Sequence, residues 1–154
     1  MINLETKIVE IGDLPDSEMR LSDLFLTLSR ALDMSNVEIL DHSRRVAYIA
    51  LELAESLNLE DQEKNQLVLA ALIHDIGIIS QSNKRMAQNN LELSDEILES
   101  HCRRGSDLTK KLNFLPDVSD IIYYHHHKWD GSNFDNIREE KIPLSSRIIH
   151  LADR

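Results

Sequence analysis

Histidine and acidic residues are the side chains of this sequence best suited to chemistry. The chain has seven histidines but only one tryptophan and three tyrosines. His74 and Asp75 close an apolar segment, QLVLAALIHDI, which is followed by Gly77. Two groups that are hard to bury need partners at such a helix end, and both can converge there on one cation. For an isolated pair, a helix-terminal histidine with a capping aspartate is the simpler interpretation.

Further potential metal ligands are spread along the chain. Glu38 and His42 lie four residues apart on one predicted helix, so their side chains share a face. His101 lies near the apolar side of another predicted helix. His125 and His126 are adjacent, and neighbouring side chains on a helix diverge by about 100°, which suits ligation of two different metals.

With Asp153 in the last predicted helix, these side chains form one set of donors from five predicted helices. Zinc usually takes four ligands in total, so the set is too large for one mononuclear site. It suits two or three metals bridged by carboxylates, with Asp75 as the central bridge. Iron, manganese, nickel and zinc all accept such donors. The set consists of Glu38, His42, His74, Asp75, His101, His125, His126 and Asp153.

Composition limits the classes of protein to which the chain can belong. Its 154 residues suit one domain with one hydrophobic core. The net charge of −10 argues against a DNA- or RNA-binding protein, whereas an anionic substrate requires only local positive charge, which bound metals would supply. Because the start lacks a signal-peptide pattern, no apolar run suits a membrane helix, and Cys102 is the only cysteine, we expect a cytoplasmic protein.

Apolar periodicity predicts an all-α bundle of about five to seven helices. Only four glycines and three prolines interrupt the chain, and no segment alternates convincingly with period two. The stretch 78–93 reads as a surface loop. The first predicted helix has an apolar face of Leu21, Leu24, Phe25, Leu28, Ala31 and Leu32. The second begins at the caps Ser35 and Asn36 and ends at about Asn58. The others run from Glu60 to Ile76, from Ser94 to about Leu112, from Pro116 to the histidine run at 125–127, and from Pro143 onward.

The chain divides into an N-terminal helical extension, residues 1–35, and a main domain, residues 36–154. The extension is too short for a sensory domain, so regulation is expected from a partner, an oligomer or a part of the protein outside this sequence. The amphipathic first helix could pair with another copy. The last predicted helix reaches Arg154 without a C-cap, so we expect the natural domain to continue.

Five segments of the chain resemble the HD-GYP family, a branch of the HD phosphohydrolase superfamily. Their order and separations match that family over about residues 36–154, and the combination is far more specific than a His-Asp pair alone. The segments are DHSRRVA at 41–47, ALIHDIG at 71–77, HCRRG at 101–105, HHHKWDGS at 125–132 and IPLSSRIIHLAD at 142–153.

The resemblance implies an HD-domain bundle that hydrolyses cyclic di-GMP to linear pGpG, GMP or both, through a hydroxide that bridges metals. His74 and Asp75 are the implied catalytic residues. The eight donors are the implied ligands of two or three divalent metals, with iron or manganese favoured over zinc or nickel, and Glu38 is the extra carboxylate of members with three metals. The implied substrate contacts are Trp129, Asp130, Arg147 and Lys84.

The sequence also departs from the family pattern. Ile78 replaces a phosphate-binding lysine, for which Lys84 or Arg85 could substitute. Asn-Phe-Asp at 133–135 replaces Gly-Tyr-Pro, and Asp135 adds a negative charge near the expected dinucleotide. His127 replaces a glutamate, and the family helix after Ala-Asp, with its basic substrate contacts, is absent.

Several interpretations therefore remain open. The domain could be a catalytically weak regulatory module that binds a cyclic dinucleotide, or another HD-type phosphohydrolase acting on a mononucleotide. Trp129 either stacks on a guanine or anchors its loop. Arg147 either forms a salt bridge to a ligand carboxylate or contacts the substrate. His127 and His150 are expected to be structural or exposed.

Overall fold

Six α-helices make up most of the chain that the structure describes. This structure is a computed structural model that describes residues 21–33, 41–78, 95–112 and 117–154. Two 3-10 turns, His74–Gly77 and Glu139–Lys141, complete the regular structure, and these ranges contain no strand. The all-α prediction is confirmed. The helices are α1 Leu21–Asp33, α2 His42–Ser56, α3 Asp61–Ile73, α4 Asp95–Lys110, α5 Val118–Tyr124 and α6 Leu144–Ala152.

Helix α3 is the centre of the bundle and packs against α1, α2, α5 and α6. Every residue from Leu67 to Ile73 is buried, as expected for a segment that is apolar on all sides. The helix begins with a capping box, in which the Glu60 amide donates to Glu63 Oε2 at 3.1 Å. Its predicted end at Ile76 is wrong by three residues, because the chain tightens into the 3-10 turn at His74. None of the helices in the described ranges is long and apolar enough to cross a membrane.

The predicted start of the second helix is also wrong. Helix α2 begins at His42, because Asp41 has φ 60° and ψ 19°, a left-handed conformation that an α-helix does not contain. Glu38 and His42 therefore do not lie on one uninterrupted helix, and the reason for placing them on a shared face fails. Glu38 itself lies outside the described residues, as do the predicted caps Ser35 and Asn36.

The buried face of α1 differs from the predicted one. Leu24 is 43% exposed, whereas Phe25 and Leu26 are buried. Ser29 and Asp33 share the buried face, and Asp33 Oδ1 accepts a hydrogen bond from Ser43 Oγ at 2.9 Å. A polar contact between α1 and α2 thus draws Asp33 inward, which apolar periodicity alone does not indicate. The division at residue 35 stays a prediction.

Gly77 allows the 3-10 turn to lie directly against α4, and Gly105 allows α4 to lie directly against α5. A Cβ atom on Gly77 would collide with the backbone carbonyl of His101 and lie 2.8 Å from the Gly105 amide nitrogen. A Cβ on Gly105 would lie 2.8 Å from the Ile122 side chain of α5. The absence of side chains at these positions therefore sets how closely the turn, α4 and α5 approach one another.

We expect Gly77→Ala to lower the free energy of unfolding by roughly 3 kcal/mol or more, because its Cβ meets rigid backbone rather than a flexible side chain. Urea denaturation followed by circular dichroism measures the change. Ala31→Ser, at an exposed site on α1, is the control and should differ little from wild type. A Gly77→Ala protein as stable as this control would contradict the packing argument.

Candidate metal centre

The 3-10 turn that follows α3 orients the His74 ring. His74 is fully buried, and its Nδ1 donates to the backbone carbonyl of Ala71 at 2.8 Å. This bond fixes a proton on Nδ1, because a carbonyl only accepts. The other nitrogen, Nε2, lies 3.5 Å from Asp75 Oδ2 and 3.4 Å from Asp153 Oδ1, and has no hydrogen-bond partner. His74 thus presents Nε2 to two carboxylates from different elements.

His125 is oriented in the same way at the C-terminal end of α5. Its Nδ1 donates to the backbone carbonyl of Ile122 at 2.6 Å, which leaves the buried Nε2 without a hydrogen-bond partner. The His125 carbonyl accepts from His150 Nδ1 at 2.9 Å. His150 therefore supports a candidate ligand through its backbone, which is a structural role as expected from the sequence. A histidine whose Nδ1 is bound to a carbonyl is the usual arrangement for metal ligation through Nε2.

The described candidate donors fall into two groups, and the ligand atoms within each group lie within 4.8 Å of one another. In one group, His101 Nε2 lies 3.2 Å from Asp75 Oδ1. In the other, His42 Nε2 lies 3.0 Å from Asp153 Oδ1. The first group consists of Asp75, His101, His125 and His126, and the second of His42, His74 and Asp153.

Asp75 lies between the two groups. One of its oxygens faces His101 and the other faces His74, so a single carboxylate contacts an imidazole from each group. The groups also approach each other through their rings, since the His74 and His125 centroids are 5.5 Å apart. This placement is the one expected of a carboxylate that joins two neighbouring sites.

The chemistry of the two groups fits divalent transition metals. Burying a polar atom without a hydrogen bond costs about 1–3 kcal/mol, and three buried Nε2 atoms here lack one. Cations bound between the imidazoles and carboxylates would satisfy these atoms and use both kinds of donor. The three nitrogens belong to His74, His101 and His125.

Charge is strongly coupled within the cluster. Although burial disfavours its charged form, the negative charges of Asp75 and Asp153 raise the pKa of His74 to about 9. Burial also opposes charge on Asp75, yet the His74 and His101 imidazoles lower the pKa of that carboxyl well below its usual range. Burial together with neighbouring imidazoles lowers the pKa of His126 to about 3 and that of His125 well below its usual range. The adjacent pair therefore stays neutral at pH 7, as metal ligation requires.

The expected substrate contacts lie partly outside this cluster. Trp129 is 51% exposed, and the Arg147 guanidinium lies 5.2 Å from its ring centroid. The Arg147 Nε atom is buried without a hydrogen-bond partner. Asp130 is exposed, and its Oδ1 accepts from both the amide and the hydroxyl of Ser132. Lys84 lies outside the described residues.

One contact that the sequence did not indicate joins His127 to Asp135. His127 is buried, and its Nε2 lies 3.0 Å from Asp135 Oδ1. The same oxygen accepts from the Ile137 amide at 3.1 Å. The two residues thus contact each other across a loop, where neither helical nor strand periodicity provides a signal.

Comparison with known families assigns the chain to a family of helical domains. The family model described as the HD domain matches residues 39–154, so the chain belongs to the HD domain family. A solved structure titled cyclic GMP-AMP-specific phosphodiesterase, from Vibrio cholerae, shares the fold with a TM-score of 0.68 and 24% identity, over 84% of this chain and 38% of that one.

Curated relatives are named as phosphodiesterases of cyclic dinucleotides. The chain is 29% identical to 3'3'-cGAMP-specific phosphodiesterase 1 of Vibrio cholerae, over 88% of this chain and 31% of the relative. It is 26% identical to the cyclic di-GMP phosphodiesterase of Thermotoga maritima, over 82% and 36%, and 27% identical to the response regulator RpfG of Xanthomonas campestris, over 99% and 41%. The family resemblance is thereby confirmed, while the chain spans about a third of the length of these relatives.

Metal binding at pH 7 should displace about one proton from His74, because the pKa of that imidazole is near 9 in the metal-free protein. Calorimetric titration with Mn²⁺ in buffers of different ionisation enthalpy measures the proton released. The release should diminish, and affinity rise, as the pH increases through about 9, where His74 is already neutral. A binding enthalpy independent of the buffer at pH 7 would contradict this charge assignment.

Proposed function

We propose that this domain is a metal-dependent phosphodiesterase that hydrolyses a cyclic dinucleotide. The observation that carries the proposal is the Asp75 carboxylate, which contacts imidazoles of two adjoining donor groups at once. One carboxylate between two sites suits a phosphodiester, whose non-bridging and leaving oxygens can then be bound together. Membership of the HD domain family and the activities named for the relatives support the same reaction.

Two groups of residues would each bind one metal. His42, His74 and Asp153 would hold one metal, and the group around His101 the other, with Asp75 shared. Divalent metals bound there would activate a water molecule and offset the negative charge that develops on the phosphate. The hydrogen bonds from His74 to Ala71 and from His125 to Ile122 keep both rings directed at the site. We include Glu38 as a further carboxylate ligand.

Trp129 and Arg147 are the proposed contacts to the dinucleotide outside the metal site. The half-exposed indole offers a face on which a base can stack, with the Arg147 guanidinium near its ring. The guanidinium is also a candidate phosphate contact, because its planar array of N–H donors matches phosphate oxygens. Cyclic di-GMP and 3'3'-cGAMP both provide purine bases and two phosphodiesters, so we propose one of them as the substrate. We also include Asp130 and Lys84 as proposed contacts.

A second function, binding of the cyclic dinucleotide without efficient turnover, is favoured by one observation. Ile78 occupies the position of the expected phosphate-binding lysine, and its amide donates to the Asp75 carbonyl at 2.9 Å at the end of the turn. An aliphatic side chain there cannot pair with a phosphate. The metal donors would remain, so the domain would still bind the cyclic dinucleotide although its turnover was slow.

Incubation of the Mn²⁺- or Fe²⁺-loaded protein with cyclic di-GMP and, separately, 3'3'-cGAMP distinguishes these functions. We expect a linear dinucleotide from at least one of them, measured by liquid chromatography. Binding without any product would support the regulatory function instead. Absence of both binding and product, with turnover of another phosphoester, would contradict the proposed substrate class.

Asp75→Ala should remove most of the bound metal and lower activity at least about a hundredfold, because the shared carboxylate contacts both donor groups. Elemental analysis and the product assay measure the two effects on the same preparation. Asp120→Ala, at an exposed position of α5, is the matched control and should retain both metal and activity. Full activity in an Asp75→Ala preparation that has lost its metal would refute the metal-dependent reaction.

A further inference from the structure

The segment that replaces the family's Gly-Tyr-Pro is held by its own side chains. The Asn133 side-chain oxygen accepts from the Lys128 amide at 2.6 Å. Its side-chain nitrogen donates to the carbonyls of Lys128 at 3.1 Å and Ile137 at 2.6 Å. Asn133 therefore ties together both ends of the loop that carries Trp129. The loop is closed a second time by the Glu139 amide, which donates to the Trp129 carbonyl at 2.9 Å.

Phe134 and Asp135 attach the same loop to α5 and to His127, which lies just after that helix. The Phe134 ring packs edge-on against His127 and Tyr123, with centroid distances of 4.8 and 5.7 Å. The Arg103 guanidinium of α4 lies 5.0 Å from the Phe134 centroid. Asp135 contacts His127, which directly follows the candidate ligands His125 and His126. All three replacement residues thus have specific partners.

Among these contacts of the loop, only that between His127 and Asp135 joins two ionisable side chains, and one of them, His127, is buried. The His127 side chain is 1% exposed and that of Asp135 is 24% exposed. Because Asp135 Oδ1 is engaged by His127 and the Ile137 amide, this oxygen is directed at the protein rather than at an approaching phosphate.

We infer that His127 and Asp135 are positioning residues, which hold the Trp129 loop in a fixed orientation relative to the metal ligands and so set affinity for the cyclic dinucleotide. The inference rests on the proposed function for its substrate. It explains why the two departures occur together, since His127 requires an acceptor and Asp135 provides one.

The single tryptophan of the chain makes the loop directly observable. Trp129 lies within the fastened segment, so its fluorescence anisotropy and its quenching by acrylamide report the mobility of the loop without any substrate. Asp135→Ala removes the acceptor. His127→Phe removes the ring nitrogens while keeping an aromatic ring against Tyr124 and Phe134. Asp135→Asn keeps an oxygen that can accept both hydrogen bonds.

In the Mn²⁺-loaded protein, Asp135→Ala and His127→Phe should each increase quenching of Trp129 and lower its anisotropy. KM for the cyclic dinucleotide should rise about tenfold, as expected for loss of one hydrogen bond to a charged group, with little change in kcat or metal content. Asp135→Asn should restore KM and fluorescence towards wild-type values. The control is Asp107→Ala, at an exposed site of α4, which should match wild type.

The two levels of the proposal fail in different ways. If Asp135→Ala and His127→Phe both match wild type in Trp129 fluorescence, the positioning inference is overturned, whatever the activity. If the loop loosens but KM stays unchanged in an active protein, its link to substrate affinity is overturned. Absence of turnover and binding in the wild-type protein would instead refute the proposed function, while the fluorescence result still decides whether the pair fastens the loop. If Asp135→Ala does not fold, His127→Phe tests the same contact by changing its buried partner.

Discussion

The position of the Asp75 carboxylate is the constraint on which the rest of the site depends. The C-terminal half of helix α3, Leu67 to Ile73, is buried on all sides. It therefore places His74 in the interior and Asp75 in a partly buried position, where ionisable groups require partners. The 3-10 turn then directs the two carboxylate oxygens towards different imidazoles. Gly77 permits the close approach of α4 that brings His101 within 3.2 Å of Asp75. Even a small side chain at Gly77 would separate the turn from α4.

Much of the fold and of the candidate site could be predicted from the sequence, because apolar patterning and the cost of burying ionisable groups both leave a signal there. The apolar run of α3 and the few glycines and prolines predicted a helical bundle, and the His-Asp pair marked the end of the buried helix. Imidazoles and carboxylates are expensive to bury without partners, so the His-Asp pair at the end of an apolar segment, together with the other histidines and acids, indicated a shared site. The structure brings the seven described candidates into two adjoining groups, although their action as ligands stays a prediction.

Other features depended on contacts that periodicity does not encode. The left-handed Asp41 begins α2 at His42, so the predicted helix through Glu38 was wrong. The hydrogen bond from Ser43 to Asp33 turns a polar residue of α1 inward, while Leu24 is exposed. The partnership of His127 with Asp135 crosses a loop of irregular backbone, where neither spacing nor composition links the two positions.

The central claim, that these donors bind more than one metal around Asp75, is tested most directly by crystallography of the Mn²⁺-loaded protein. Anomalous difference density identifies each bound manganese without reference to activity. We predict two peaks, one among Asp75, His101, His125 and His126 and one among His42, His74 and Asp153, with Asp75 adjoining both. A single peak, or no peak among these side chains, would contradict the claim that the donors bind more than one metal.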